Sequence, residues 1–134
     1  MGIENIVNIT HNKERLALIV KGHKPEGKYF VSSEEDCLQV GYMNLKEKEK
    51  INRHFHKDLV REIKKTQEVL YILSGRVKID FYFDKRKVEE TILEAGDLVI
   101  LLNGGHSFEF LEETDLIEIK QGPYLGADID KERF

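Results

Sequence analysis

The side chains with the clearest chemical potential in this sequence are three histidines and one glutamate. His54 and His56 flank a phenylalanine, and the period of two in a strand would turn both imidazoles to one face. His106 and Glu68 each alternate with large apolar residues, which predicts that both side chains face the interior. An ionised carboxylate on an apolar face is costly unless a cation or strong donor lies beside it. A divalent metal ion would meet that need.

Each of these groups also has a purely structural interpretation. Paired histidines on a strand are often surface residues without a ligand. Glu68 could pair with Arg53 or Arg61, and His106 could bond to a backbone carbonyl in the core. Two further histidines lie in turn-like surroundings and are predicted at the surface: His11 and His23.

The elements that must position these groups are predicted to be short strands. Alternation of apolar and polar residues predicts a half-buried strand over residues 76–83, and a continuous apolar run predicts a central strand over residues 68–73. Ser74 and Gly75 between them predict a tight hairpin. Further strands are predicted over residues 16–20, 29–31, 38–44, 51–56, 88–93, 98–102, 106–110 and 116–120, with a turn at 24–27 and a loop at 57–65. This series predicts an all-β, antiparallel sandwich or barrel.

Composition limits the classes of protein to consider. A chain of 134 residues is the size of one domain, and its net charge of −4 argues against nucleic acid as a partner. The longest apolar runs, residues 16–20 and 98–102, are too short to cross a membrane, and the first residues lack a secretory pattern, so we expect a cytoplasmic protein. With Cys37 as the single cysteine, any metal must be held by histidines and carboxylates.

The spacing of the candidate residues resembles that of a small single-domain cupin. The first motif of that family is represented by His54-Phe55-His56 and by Glu68, with Gly75 after six further residues. The second motif is represented by Gly96-Asp97 and Gly104-Gly105-His106. The resemblance implies a double-stranded β-helix, the cupin jelly-roll barrel, with a metal held by His54, His56, Glu68 and His106. It also implies one domain over residues 1–134, with N-terminal strands at 1–45, a barrel core at 46–120 and a tail at 121–134.

The match to the cupin motifs has one long insertion. Eleven residues separate His56 from Glu68, where most cupins have three or four, so residues 57–67 are expected at the mouth of the barrel. Glu62 is closer to the usual position, but Val69 then stands where the motif has glycine. Glu68 is therefore the preferred ligand. Three segments, residues 38–41, 66–71 and 120–124, resemble an uncharacterised group of short cupins associated with sugar and surface polysaccharide metabolism.

Three kinds of function remain open from the sequence. The first is a metalloenzyme that uses Fe, Mn, Ni or Zn to act on a small polar or anionic, sugar-like substrate, with Arg61 and Lys64 of the insertion contacting the anion. The second is a metal-free sugar-nucleotide isomerase or epimerase, in which His54 or His56 is the base and Tyr71 or Tyr82 the acid. The third is a non-catalytic module that binds a small ligand.

The apolar content of two strands predicts a homodimer. Residues 68–73 and 76–83 carry more large apolar side chains than the interior of one small barrel can take. Val69, Tyr71 and Leu73 are expected either at an interface or beneath the N-terminal strands.

Overall fold

The chain forms an all-β fold in the computed structural model, which describes residues 5–22 and 26–134. This confirms the predicted all-β class, and no closed barrel is found among these residues. The strands are β1 (Ile6–His11), β2 (Glu14–Val20), β3 (Lys28–Phe30), β4 (Gly41–Met43), β5 (Glu68–Ser74), β6 (Arg76–Phe83), β7 (Arg86–Glu94), β8 (Leu98–Leu101), β9 (Gly105–Phe110) and β10 (Asp115–Lys120). A short helix, α1, spans Ala127–Asp130, and no helix in the described ranges is long and apolar enough to cross a membrane.

The strands pair antiparallel in three sheets. The five-stranded sheet has the order β1-β2-β8-β5-β10, the three-stranded sheet has the order β7-β6-β9, and β3 and β4 form a separate hairpin. Sequence alternation decides which side chains fill the space between the two larger sheets. In β6, Val77, Ile79 and Phe81 are buried while the intervening residues are partly exposed.

Two apolar layers lie on the two faces of the five-stranded sheet. The inner layer joins the two larger sheets, with Leu70, Ile72 and Val99 packed against β6 and β7. The outer layer places Val69 and Ile100 beneath the chain segment that includes the β3–β4 hairpin; the partly buried residues that cover it there are Val31, Leu38, Val40 and Tyr42. Val69 thus packs under N-terminal segments, as predicted.

The strand predicted over residues 51–56 was wrong. Residues 44–66, which we call the arm, contain no strand and are exposed throughout. Alternating residues make a strand only where a neighbouring segment accepts their backbone hydrogen bonds, and no described strand pairs with them.

Several smaller differences concern the ends of the chain and its turns. The strand predicted at 38–44 is limited to Gly41–Met43. Neither strand β1 nor helix α1 was predicted. His11 lies at the end of β1 and is partly buried, with its ring 5.2 Å from that of Phe83. His23 and part of the turn predicted at 24–27 lie outside the described residues.

Candidate functional site

Glu68 and His106 meet at one end of the space between the two larger sheets. Glu68 is the first residue of β5 and lies on the same face as Leu70, whereas His106 lies on β9 opposite Phe81 of β6. The Oε2 atom of Glu68 lies 3.6 Å from the Nε2 atom of His106. The sequence prediction that both groups face the interior is therefore confirmed.

Burial makes both groups resist ionisation. It is the main reason why the pKa of Glu68 is raised above its ordinary value, and the nearby Glu118 carboxylate adds to this. Burial likewise lowers the pKa of His106, and the positive charge of Lys131 adds to that effect. The 3.6 Å separation is too long for a hydrogen bond, and neither side chain bonds to another described residue. The carboxylate and the imidazole thus present unused lone pairs to one space.

The pair opens onto a cleft of about 800 Å³. One wall comes from β9, including Phe108, whose ring lies 5.3 Å from that of His106. A second wall is formed by residues 130–134, which include Lys131 and Arg133. Its volume is within the range of ordinary small-molecule sites.

The wall at residues 130–134 is fixed by polar contacts to the start of β5. The Thr66 hydroxyl donates to Asp130 Oδ1 at 3.2 Å, and Lys120 Nζ lies 3.4 Å from Asp130 Oδ2. One residue further on, the Gln67 N–H donates to Gln121 Oε1 at 2.6 Å. These contacts hold helix α1 beside Glu68, and they bring residues that are distant in sequence to the cleft.

The two tyrosines proposed as acids have different positions. Tyr82 lines the cleft, with its hydroxyl 3.1 Å from Ser107 Oγ and its ring 5.3 Å from that of Phe134. Tyr71 lies on the outer face of the five-stranded sheet, because β5 alternates and Glu68 occupies the inner face. Tyr82 is therefore the tyrosine that the fold brings to the cleft.

The remaining predicted site residues lie in the exposed arm. His54 and His56 have their rings 5.4 Å apart, and His54 Nδ1 lies 2.8 Å from the carbonyl oxygen of Asn52. Arg61 and Lys64 are also exposed, and none of these four lines the cleft. Within residues 5–22 and 26–134, no three His, Cys, Asp or Glu side chains converge as a metal-binding group. One chain thus brings together two of the four predicted ligands.

Sequence reasoning missed the basic residues of the cleft. Lys85, Lys131 and Arg133 line it, but they come from the turn after β6 and from the segment after α1. The presence of Lys131 and Arg133 in residues 130–134 is visible in the sequence. Their spacing, however, does not predict that they lie beside β9.

Comparison with protein-family models, with curated proteins and with solved structures finds no match to this chain. The assignment of a function therefore depends on the geometry of the cleft and on the sequence motifs.

Proposed function

We propose that this chain is a metal-binding cupin that acts on a small polar or anionic, sugar-like molecule in the cleft beside Glu68 and His106. The observation that carries the proposal is the contact between a buried carboxylate and a partly buried imidazole that have no hydrogen-bond partners among the described residues. The pairing of antiparallel five- and three-stranded sheets around one core is consistent with a jelly-roll barrel of the cupin type.

The ligand atoms that Glu68 and His106 offer are of the types that bind a divalent transition metal. Imidazole nitrogen and carboxylate oxygen are ligands for Fe, Mn, Ni and Zn, and burial makes an unneutralised Glu68 carboxylate unfavourable. Glu68 and His106 would supply two ligands, and His54 and His56 are the remaining candidates. When bound, such a metal would polarise an oxygen atom of the ligand as a Lewis acid.

The cleft is lined by three basic and three acidic residues, and two of the basic ones support an anionic substrate. Lys85 lies 3.4 Å from Glu132, so its charge is partly balanced, whereas Lys131 and Arg133 have no ion pair among the described residues. The guanidinium of Arg133 can donate two parallel hydrogen bonds to a carboxylate or phosphate. The residues that bind the anion in the cleft would then be Lys131 and Arg133, and the predicted Arg61 and Lys64 would join them only where an arm closes over the cleft.

A second function, metal-free acid–base catalysis, is favoured by the opposite pKa shifts in the pair. A carboxyl group whose pKa is raised and an imidazole whose pKa is lowered become closer in proton affinity. His106 could then accept a proton from a carbon beside a carbonyl of the substrate. It would take the role of base that the sequence assigned to His54 or His56. Tyr82 lines the cleft and packs against Phe134 of its wall.

Metal quantification on purified protein separates the two functions. We expect about one divalent metal per wild-type chain, loss of that metal in Glu68→Gln and His106→Ala, and retention in the control His11→Ala, whose histidine lies on β1 outside the cleft. Stoichiometric metal in a His54→Ala, His56→Ala double variant would contradict the four-ligand assignment.

The metal-free function makes a different prediction. Wild type treated with EDTA would exchange solvent deuterium into a keto-sugar nucleotide, and His106→Ala would not. If no metal is bound and no exchange occurs, a non-catalytic binding role becomes the better interpretation.

A further inference from the structure

The arm leaves an unusual number of apolar side chains in water. A segment of this length without secondary structure is uncommon in a compact domain unless it has a function or a partner. Asn44 and Thr66 anchor its ends to the sandwich, and no residue from 45 to 65 hydrogen-bonds to the rest of the described chain. Phe55 is 87% exposed and Val60 fully exposed. The exposed apolar residues of the arm are Leu45, Ile51, Phe55, Leu59, Val60 and Ile63.

The total exposed surface is too large for a compact monomer. The chain exposes 10324 Å². A compact monomer of 15.6 kDa is expected to expose about 7,300 Å², which leaves an excess of about 3,000 Å². Obligate homodimers bury about 2,000–5,000 Å² over both partners, so this excess is sufficient for one chain's share of such an interface.

The outer side of β5 and β10 has an exposed apolar face, on which the apolar side chains of an arm could pack. Tyr71 lies opposite Ile117 in the sheet, and Val69 lies opposite Ile119. The segment that includes the β3–β4 hairpin covers Val69. The other apolar residues of this face are exposed: Tyr71, Leu73, Ile117 and Ile119. Strand β10 is also an edge strand, so one side of its backbone has no partner strand in the five-stranded sheet.

The charges of the arm and of the rest of the chain are complementary. The arm has eight basic and four acidic residues, a net charge of +4 in a chain whose total is −4. The rest of the chain therefore carries a net charge of −8, and exposed acidic residues lie in the β9–β10 turn at Glu112 and Glu113 and at the start of β10 at Asp115. These opposite charges favour contact between the arm of one copy and the acidic remainder of a second copy.

The cleft and the exposed face meet at one end of β10. Lys120 lies opposite Glu68 in the sheet, and its neighbour Ile119 belongs to the exposed face. The cleft and the exposed face lie on opposite sides of the sheet, so an arm on the exposed face has to pass around this end of β10 to reach the cleft beside Glu68 and His106.

We propose that two copies of the chain exchange arms. Each arm lies on the β5–β10 face of the other copy and brings His54 and His56 to the Glu68–His106 pair of that copy. A two-fold axis makes the exchange reciprocal, so that both apolar faces are covered at once. The shared metal centre rests on the proposed function, whereas the exchange of arms does not.

The molar mass in solution tests the exchange. Light scattering at micromolar concentration should give about 31 kDa for wild type, twice the 15.6 kDa of the chain. In a single chain the Val60 side chain is fully exposed, so Val60→Asp should not disturb the fold of a monomer. In the exchanged dimer it would place a charge on the apolar face of the other copy, and we expect a folded monomer. Ile119→Asp on the receiving face should have the same effect. The matched control is Val7→Asp, which alters an exposed valine of β1 at the opposite edge of the sheet and should leave the dimer intact. A monomeric wild type, or a dimer unaffected by Val60→Asp, would overturn the exchange.

Co-expression of two defective chains tests the shared centre. One chain carries His54→Ala and His56→Ala, the other carries Glu68→Gln and His106→Ala, and different affinity tags allow isolation of the mixed dimer. Exchange predicts one Zn(II) or Ni(II) per mixed dimer, since one centre has all four ligands, and none in either parent dimer.

The outcomes distinguish the two proposals. If wild type binds metal and the mixed dimer does not, the arm closes within its own chain and the exchange is wrong. If wild type binds no metal, the proposed function and the shared centre both fail, while the masses of the Val60→Asp and Ile119→Asp variants still decide the exchange.

Discussion

Asp97 is expected to be one of the most sensitive polar residues of the fold. It is 4% exposed and lies in the turn between β7 and β8. Its Oδ1 accepts the Gly22 N–H at 2.8 Å, and its Oδ2 accepts the Glu94 N–H at 2.8 Å and Lys21 Nζ at 2.6 Å. The carboxylate therefore joins the end of β2 to the β7–β8 turn.

The substitution Asp97→Ala removes all three contacts at once. The two backbone N–H groups lose their partner in a partly buried environment, at up to about 1–3 kcal/mol each. Lys21 adds little, because its side chain is 42% exposed and can turn to water. We therefore expect a loss of about 3–5 kcal/mol, a large part of the roughly 5–15 kcal/mol that stabilises a typical domain. Asp97→Asn, which keeps one acceptor oxygen, should lose less.

Urea denaturation followed by circular dichroism, at one protein concentration, measures this loss. The matched control is Glu132→Ala, which breaks the 3.4 Å ion pair with Lys85. Both partners of that pair are well exposed, so the change should stay below about 0.5 kcal/mol. If Asp97→Ala lowers the free energy of unfolding by less than about 1 kcal/mol, the reasoning about orphaned backbone donors is refuted.

Three further predictions concern the cleft and the hairpin. Because burial raises the pKa of Glu68, its proton favours the folded state below the ordinary value of 4.5, and this stability is lost as pH rises through the folded pKa. Glu68→Gln should therefore melt higher than wild type at pH 7 in EDTA, with a smaller difference at pH 4; an equal difference at both values would contradict this. Gly75 has φ +93° and an added Cβ would overlap the β9–β10 turn, so Gly75→Ala should lose about 3 kcal/mol in urea denaturation, more than Gly126→Ala, where φ is +98° but the space is open. Phe134→Ala removes the edge-to-face contact with Tyr82 and should lower the free energy of unfolding by about 1 kcal/mol in the same assay; no change would show that this contact does not stabilise the cleft wall.

The strands of the second half of the chain could be predicted closely from the sequence. For β6 the alternation of Val77, Ile79 and Phe81 determined both the strand and its buried face. β1 was not predicted, although its Ile9 joins the inner core, because it is stabilised by pairing with β2 across a register shift. Pairing between segments depends on the partner as much as on the residues of one strand.

The candidate site was only half predictable for a related reason. The period of two along β5 and β9 identified the inward direction of Glu68 and His106. The same period applied to His54 and His56 predicted a strand that the fold does not form, because no described segment pairs with the arm. Lys131 and Arg133 had no local signal at all.

The sequence alone determined the all-β class and the faces of its strands, because these follow from the alternation of side chains along each segment. The tertiary structure decided which groups share a space. Glu68 and His106 are joined by strand pairing and by the packing of two sheets, whereas Lys131 and Arg133 reach the cleft through the contacts that hold α1 beside β5. Such meetings depend on contacts between residues far apart in the chain, and no local pattern encodes them.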